Sequence, residues 1–493
     1  MTDLTHVEVR AGAYADSVTL LQVSRTVQGI EGVAAAQVAM ATPLNIEVLT
    51  QMGFEVPADV DPNAMVVALR LDDPAALDRA LAGVDEALAA AGRRDTGPSE
   101  LAPPRTTATA LRGNSDGIAL VSVPGASALV EAMDALDAGR DVMVFSDNVP
   151  LEQELALKRT AAERGLLVMG PDCGTAVVGG LGLGFANTVA PGPVGIVAAS
   201  GTGCQQLLAL LDHAGVGVTS ALGVGGRDLS ADVRGLSTRE AMRRLDADPA
   251  VELVVVVSKP PADDVAAEIR EYAATLGTPV EFALLGPGQP DLTAAAEAVL
   301  ARLGHDVPTW PVCGEAAAAQ TGTALRGLFV GGTLCDEAML IATDALGPVH
   351  SNIPLSPGLA LGVDLAAPAD GAGHTMVDFG DDALTAGRAH PMIDPTLRLE
   401  HLARVAADER TAVVLLDVVL GHGAEPDPGA SLAAAIAAVR QPVVVAIVGT
   451  DADPQGLERQ VRALVGAGAE VHMSNARATR RAIELLPATR KGL

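Results

Sequence analysis

The 493-residue sequence is poor in aromatic residues, basic residues and cysteine. Phe, Trp and Tyr make up 2% of the chain, too few for base-stacking platforms or an aromatic membrane belt. Lys and Arg number 33 against 61 Asp and Glu, a formal net charge of −28. We therefore expect neither nucleic acid nor a membrane as a partner. The four cysteines show no CxxC spacing, which predicts no structural metal site and reduced thiols in a cytoplasmic protein.

Apolar material is abundant, because hydrophobic residues make up 49% of the chain and charged residues 19%. The chain can bury several cores, which excludes disorder. Alternating strand-like and helix-like segments predict an α/β fold of several parallel-sheet domains, Rossmann-like or flavodoxin-like, after a small N-terminal α/β module. The expected divisions are a module at 1–93, a linker at 94–113, a Rossmann-like domain at 114–190, a flavodoxin-type domain at 191–304, a linker at 305–323 and a second flavodoxin-type domain at 324–493.

From residue 191 onward the sequence contains an internal duplication. In each copy a buried strand runs into a small turn and then a helix, followed by a Gly-rich acidic loop, a second helix and a very apolar strand. The two turns are Ser200-Gly201-Thr202-Gly203 and Gly331-Gly332-Thr333-Leu334, and the two acidic loops are residues 223–228 and 378–382. Free N–H groups at a helix start attract anions, so both turns are predicted to bind phosphate. Tight strand–helix packing is the structural alternative for each turn.

Residues 387–395, Gly-Arg-Ala-His-Pro-Met-Ile-Asp-Pro, occur in the second copy alone. His390 is a candidate general acid or base, or a phosphoryl acceptor. Arg388 is a candidate clamp for a carboxylate or phosphate. Asp394 either orients the imidazole or caps the next helix. The alternative for the whole segment is a proline-stiffened loop whose histidine binds a backbone carbonyl.

Other candidates follow predicted strands, at the edge where open α/β sheets bind ligands. Asp147 and Asn148 are predicted ligand contacts, although Asp147 fits a helix cap equally well. Lys259 faces either an anion or solvent. Pro171, Asp172 and Cys173 are predicted substrate or cofactor contacts beside a glycine turn, and Cys173 is either a favoured thiolate or a small buried hydrophobe. Residues 118–123 are expected to form a buried strand.

Several of these motifs resemble the succinyl-CoA synthetase superfamily. Residues 192–197 with Ser200-Gly201-Thr202 resemble the ligase domain of its α subunit, and Gly170-Pro171-Asp172-Cys173-Gly174 resembles the segment that ends its CoA-binding domain. The second copy resembles the β-subunit ligase domain. Within the superfamily, residues 14–18, 331–335 and 387–395 resemble the FdrA group. The α-subunit phosphohistidine segment has no counterpart here, since residues 286–290 read Gly-Pro-Gly-Gln-Pro, and no ATP-grasp domain is recognised.

The FdrA resemblance implies a subunit of a carbamoyltransferase that converts oxalurate and phosphate to oxamate and carbamoyl phosphate in allantoin breakdown. It implies a hetero-oligomer with other carbamoyltransferase subunits and inorganic phosphate as a substrate. His390 would protonate the leaving nitrogen and Arg388 would bind the substrate carboxylate. CoA, a nucleotide or Mg²⁺ remains compatible with the sequence, the last through the acidic loop 378–382. The alternatives are an acyl-CoA synthetase with an ATP-grasp partner, and a non-catalytic scaffold. A nicotinamide dehydrogenase is disfavoured because no G-x-G-x-x-G spacing is present.

Overall fold

The structure is a computed structural model, and it describes residues 4–487 apart from 14, 16, 58–59, 62, 93–103, 113–116, 320, 363, 366–372 and 386–387. Tyr14, Asp16 and Gly387 of the predicted motifs and much of the 94–113 linker therefore lie outside the described residues. The chain divides into two compact units. One contains residues 1–105 with 386–389, and the other contains residues 106–385 with 390–493.

The N-terminal unit is a three-stranded antiparallel sheet with helices on both faces. Its elements are β1 (Leu4–Arg10), α1 (Ser17–Gln28), β2 (Val33–Met40), α2 (Pro43–Gln51), β3 (Met65–Leu71), a 3₁₀ turn (Pro74–Ala76) and α3 (Leu77–Gly92). The central strand β3 pairs with both others. Its alternate residues enter two different cores, Val67 and Leu69 with α1 and α3, and Val66 and Ala68 with α2. This period of two confirms the small α/β module.

The larger unit begins with a three-stranded parallel sheet of order β4-β5-β6. Its elements are α4 (Thr107–Leu111), β4 (Ile118–Val121), α5 (Gly125–Asp137), β5 (Asp141–Val144), α6 (Leu151–Arg164) and β6 (Val168–Met169). The prediction that the first strand is buried is wrong, because β4 is an edge strand and Leu120 is 49% exposed.

The next sheet has the order β12-β11-β9-β10-β7-β8. Its elements are β7 (Thr175–Val178), β8 (Leu181–Gly184), β9 (Val194–Ala199), α7 (Gly201–His213), β10 (Val218–Gly223), α8 (Leu236–Asp246), β11 (Leu253–Ser258), α9 (Asp263–Ala273), β12 (Val280–Leu284) and α10 (Leu292–Arg302). The hairpin β7–β8 contains glycines at 179, 180, 182 and 184, and its strand β7 pairs with β10.

The last sheet has the order β13-β19-β18-β17-β14-β16-β15. Its strands are β13 (Val312–Cys313), β14 (Ala324–Phe329), β15 (Val349–Ser351), β16 (His374–Asp378), β17 (Thr411–Val419), β18 (Val443–Val448) and β19 (Glu470–His472). Its helices are α11 (Gly332–Leu346), a 3₁₀ turn (Pro357–Leu359), α12 (Asp382–Thr385), α13 (Thr396–Ala407), α14 (Pro428–Ala438), α15 (Leu457–Gly466) and α16 (Asn475–Glu484). The run β18-β17-β14-β16 repeats β12-β11-β9-β10, so the duplication extends to topology.

The two repeats share one hydrophobic core and a buried polar interface. Gln206 on α7 donates to the Met473 carbonyl and accepts from the Asn475 N–H. Glu337 on α11 accepts from Asn475 and from the Leu292 N–H at the start of α10. Because the buried side chains of Gln206 and Glu337 each bind the other repeat, the interface fixes the repeats in one relative position. None of the helices in the described ranges is long and apolar enough to span a bilayer.

Candidate active site

The helix α7 of the first repeat begins at Gly201, so the predicted turn residues 201–203 form its first turn. Ser200 is the N-cap, and its Oγ accepts the Gly203 N–H at 2.9 Å. Serine in this position is a strong helix-start signal because its hydroxyl satisfies one of the unpaired N–H groups. Among the described residues the N–H groups of Gly201 and Thr202 have no such partner, and they remain available as donors.

The helix α11 of the second repeat starts differently, since its cap Gly331 has no side chain. The buried carboxylate of Asp417, on β17, accepts the N–H groups of Val330 and Gly331 at 2.8 Å each. Arg398 on α13 donates to Asp417 at 3.0 Å and balances its charge. Burial raises the pKa of Asp417 to about 6 although Arg398 lowers it. The donors left for a ligand are therefore the later N–H groups of Gly332, Thr333 and Leu334.

The two helix starts face one another across the repeat interface. Ser200 Oγ and Thr333 Oγ1 are hydrogen-bonded at 2.6 Å in a buried position. A Cβ placed on Gly331 would lie 2.9 Å from Thr202 Oγ1, so glycine is needed for the close approach. Each helix start carries about half a positive charge. Two such ends side by side repel, and a bound anion relieves that repulsion.

Lys259 extends from the end of β11 in the first repeat to the second-repeat helix start. Its Nζ lies 4.0 Å from Asp336 Oδ2. A Cβ on Gly332 would lie 3.0 Å from that Nζ and 2.6 Å from Asp378 Oδ2. Burial lowers the pKa of Lys259, but Asp336, Asp378 and Asp172 outweigh burial and raise it. The side chain is 41% exposed, so Lys259 is a cation beside the helix start that a ligand can reach.

Asp378 ends β16 and is 3% exposed. Asn352 fixes its backbone by accepting from its N–H and donating to its carbonyl. Its Oδ1 accepts the Gly380 N–H at 2.9 Å, which leaves Oδ2 without a hydrogen bond among the described residues. Burial raises the pKa of Asp378 to about 7, against the lowering effect of Lys259. Burial also raises the pKa of Asp336 to about 6.

His390 is partly buried beside the same loop, with its ring 5.5 Å from that of Phe185. Its Nδ1 accepts the Met392 N–H at 3.2 Å, so the neutral ring carries its proton on Nε2. A Cβ on Gly380 would lie 2.9 Å from Nε2 and 3.2 Å from Asp378 Oδ1. Burial lowers the pKa of His390 to about 4. At neutral pH the imidazole is therefore a neutral N–H donor, which weakens the predicted role as proton donor to a leaving nitrogen.

The other two members of the predicted catalytic group are Asp394 and Arg388. The Asp394 carboxylate accepts from the N–H and the hydroxyl of Thr396, which favours the helix-start alternative over orientation of the imidazole. Arg388 is exposed and groups with the N-terminal unit, so its contact with a substrate carboxylate stays a prediction.

The residues after β5 and β6 form an acidic edge. Asp147 and Asn148 are exposed, and α6 begins at Leu151 with Pro150 as its cap, so Asp147 is no helix cap. Asp172 also reaches solvent, after the buried Pro171. Loss of hydration and the nearby charge of Asp382 raise the pKa of Asp172, and Lys259 opposes this rise. Cys173 is buried and burial raises its pKa to about 12, as expected for a small hydrophobe rather than a thiolate.

Four residues of this site were not singled out from the sequence. Asp378 belongs to a loop considered only for Mg²⁺, and Asp336 lies within a helix. A signal was present for Asp417, because a lone carboxylate in the apolar run of β17 requires a buried partner. The sequence does not indicate that Arg398 is that partner, since arginine is common in amphipathic helices.

Two family models match the chain. Residues 1–104 match "AllF, heavy metal-associated domain" and residues 328–485 match "CoA-ligase". Heavy metals prefer thiolate ligands, and residues 1–104 contain no cysteine. Within the described ranges no group of three or more His, Cys, Asp or Glu is arranged to hold a metal ion. The donor set of the N-terminal unit therefore does not fit a heavy metal.

Relatives include YahF of Escherichia coli, 36% identical over 94% of this chain and 95% of that protein. A succinate–CoA ligase (ADP-forming) subunit alpha 2 of Archaeoglobus fulgidus is 32% identical over 33% of this chain and 58% of its own length. A solved dinucleotide-forming acetyl-coenzyme A synthetase of Ca. Korarchaeum cryptofilum aligns at 14% identity over 79% of this chain and 88% of that chain, with a TM-score of 0.32. The chain belongs to the YahF family, within the acyl-CoA synthetase superfamily.

Proposed function

We propose that this chain is the FdrA-type subunit of a phosphate-dependent carbamoyltransferase, acting on oxalurate or a related ureido acid. The observation that carries the proposal is the contact between the two helix starts, with Ser200 and Thr333 hydrogen-bonded at 2.6 Å and Lys259 beside Gly332. Such a site suits a small tetrahedral dianion, because N–H donors of two helix starts and a lysine lie at one repeat interface. The scaffold alternative gives no reason for this convergence.

In the proposed reaction, α7 and α11 hold phosphate so that one of its oxygens faces the carbonyl carbon of a ureido group. Positioning of this kind replaces a bimolecular encounter by an oriented attack. The tetrahedral oxyanion that forms needs fixed donors. We assign this role to the free N–H groups of the helix starts and to the Nε2–H of the neutral His390.

An acyl-CoA synthetase that needs an ATP-grasp partner is the second candidate, and the CoA-ligase match of residues 328–485 favours it. The residues at the acidic edge, however, do not fit CoA. Asp147, Asp172 and Asp382 influence one another electrostatically, with Arg227 and Lys259 as the cations that act on them. CoA carries several phosphate charges, which this edge would repel. The proposed reaction therefore uses no CoA.

The test is an assay of the chain purified together with the subunits that accompany it. Oxalurate and phosphate, supplied without ATP or CoA, are expected to give carbamoyl phosphate, which phosphorus NMR detects directly. Lys259→Met is expected to weaken phosphate binding about tenfold or more, the equivalent of losing one charged hydrogen bond. Arg462→Met, which removes a surface cation paired with Glu458, is the matched control and should bind phosphate normally. Turnover that requires ATP and CoA and yields an acyl-CoA would refute the proposal in favour of the second candidate.

A further inference from the structure

The carboxylate of Asp378 lies at the start of α11 and is held by hydrogen bonds on its backbone and on one of its two oxygens. Asn352 and Gly380 fix its backbone and its Oδ1. Its Oδ2 points to the first residue of α11, where a Cβ on Gly332 would lie 2.6 Å away. A buried carboxylate that is aimed into an anion site and lacks a donor on one oxygen is poorly placed for structure, since it opposes anion binding unless it is protonated.

We propose that Asp378 exchanges a proton with the anion bound between the two helix starts. The inference rests on the proposed function for its chemistry. In the carbamoyl transfer, Asp378 is protonated beside the bound hydrogenphosphate, and an unprotonated phosphate oxygen forms its bond to the carbonyl carbon. The C–N bond then breaks with its electron pair staying on nitrogen, and Asp378 gives its proton to that nitrogen. The Asp378 carboxylate finally takes up the proton of the transferred phosphate. The products are carbamoyl phosphate and the amide, and the step needs no further reagent.

The groups around Asp378 are consistent with this role. Lys259 approaches from the first repeat, Asp336 and Cys335 lie on α11, Asp381 follows in the loop and His390 lies across Gly380. Lysine attracts both the anion and the ionised form of Asp378, whereas Asp336 and Asp381 favour its protonated form. With a pKa of about 7, Asp378 is present in both forms at neutral pH, the condition under which a single group can accept and donate efficiently. The neutral His390 supplies no such proton.

The test uses sulfate, which has the tetrahedral shape of phosphate but does not titrate near pH 7, so that any proton taken up on binding goes to the protein. Calorimetric titration of the full chain at pH 7 in buffers of different ionisation enthalpy gives the number of protons taken up. We expect a fraction of a proton in the wild type, because part of Asp378 is ionised there. Asp378→Asn should bind sulfate at least as tightly and take up almost none. His390→Gln and Asp451→Asn, the latter at an exposed site, should retain the uptake.

In the active complex, Asp378→Asn should lower kcat at least about 100-fold and remove the change in kcat near pH 7. Proton uptake that survives in Asp378→Asn, or that disappears in Asp336→Asn instead, would overturn the inference. A wild type that takes up the proton but forms no carbamoyl phosphate would refute the proposed function and leave the inference standing. A chain that binds neither sulfate nor phosphate would overturn both.

Discussion

Replacement of Ser200 and Thr333, singly and together, measures the contact between the helix starts as a free energy. Ser200→Ala removes the cap of the Gly203 N–H, which costs about 1 kcal/mol. It also leaves the buried Thr333 hydroxyl without its partner, for a further ~1–2 kcal/mol. Thr333→Val keeps the side-chain shape and should cost about 1–2 kcal/mol. Because both single changes break the same hydrogen bond, the double variant should be less destabilised than the sum by about 1 kcal/mol.

Urea unfolding followed by tryptophan fluorescence suits this cycle. Trp310 is the single tryptophan of the chain and is buried in the core that the repeats share, so it reports on the larger unit. Thr479→Val is the control, since the Thr479 hydroxyl binds the Asn475 carbonyl within its own helix. The effects of Thr479→Val and Ser200→Ala should simply add. If the destabilisation of the double variant Ser200→Ala/Thr333→Val equals the sum of the two single changes, the helix starts do not touch and the reasoning is refuted.

Three further predictions concern buried groups. Because burial raises the pKa of Asp378 to about 7, the folded state loses stability as the pH rises towards 7. Asp378→Asn should therefore stabilise the protein by about 2 kcal/mol more at pH 8.5 than at pH 5.5, as urea unfolding at the two pH values will show. Arg398→Leu leaves Asp417 as an unbalanced buried charge and should destabilise by about 3–5 kcal/mol, with partial rescue by Asp417→Asn; equal loss in the double variant would contradict the pairing. In native protein at pH 8 a thiol reagent should modify the exposed Cys313 alone, and reaction of a second thiol before unfolding would contradict the burial of Cys173, Cys204 and Cys335.

Much of the fold could be predicted because hydrophobic patterning determines which segments pack. The residues of β9, β14 and β17 are buried throughout, and such apolar runs are typical of central parallel strands. The strand β4 has the same apolar pattern, but nothing covers Leu120 in the described larger unit. The hydrophobic pattern of a segment indicates which side chains can be buried. The elements that pack against the segment determine which of them are buried. The hairpin β7–β8 was likewise not predictable, because glycines at 179, 180, 182 and 184 are unfavourable in strands and its partner β10 is distant in sequence.

The site was predictable in part for the same reason. Both helix starts follow from local spacing, because a strand, a small turn and a helix are contiguous in the chain. The approach of Lys259 to Gly332 depends on the packing of two repeats, which no local pattern encodes. The pKa values of the site residues could not be predicted from the sequence either, because burial in the fold lowers the pKa of His390 and raises that of Asp378. Histidine is a natural candidate for proton transfer because its ordinary pKa lies near neutrality. A carboxyl group reaches a pKa near neutrality only when folding buries it.

The central claim is that donors from both repeats hold a single oxyanion. A crystal structure of the full chain with inorganic phosphate tests it most directly. We predict one phosphate per chain between the starts of α7 and α11, contacted by N–H groups of both helices and by Lys259. Two phosphates, each on one helix alone, or ordered helix starts with no anion at saturating phosphate, would contradict the account.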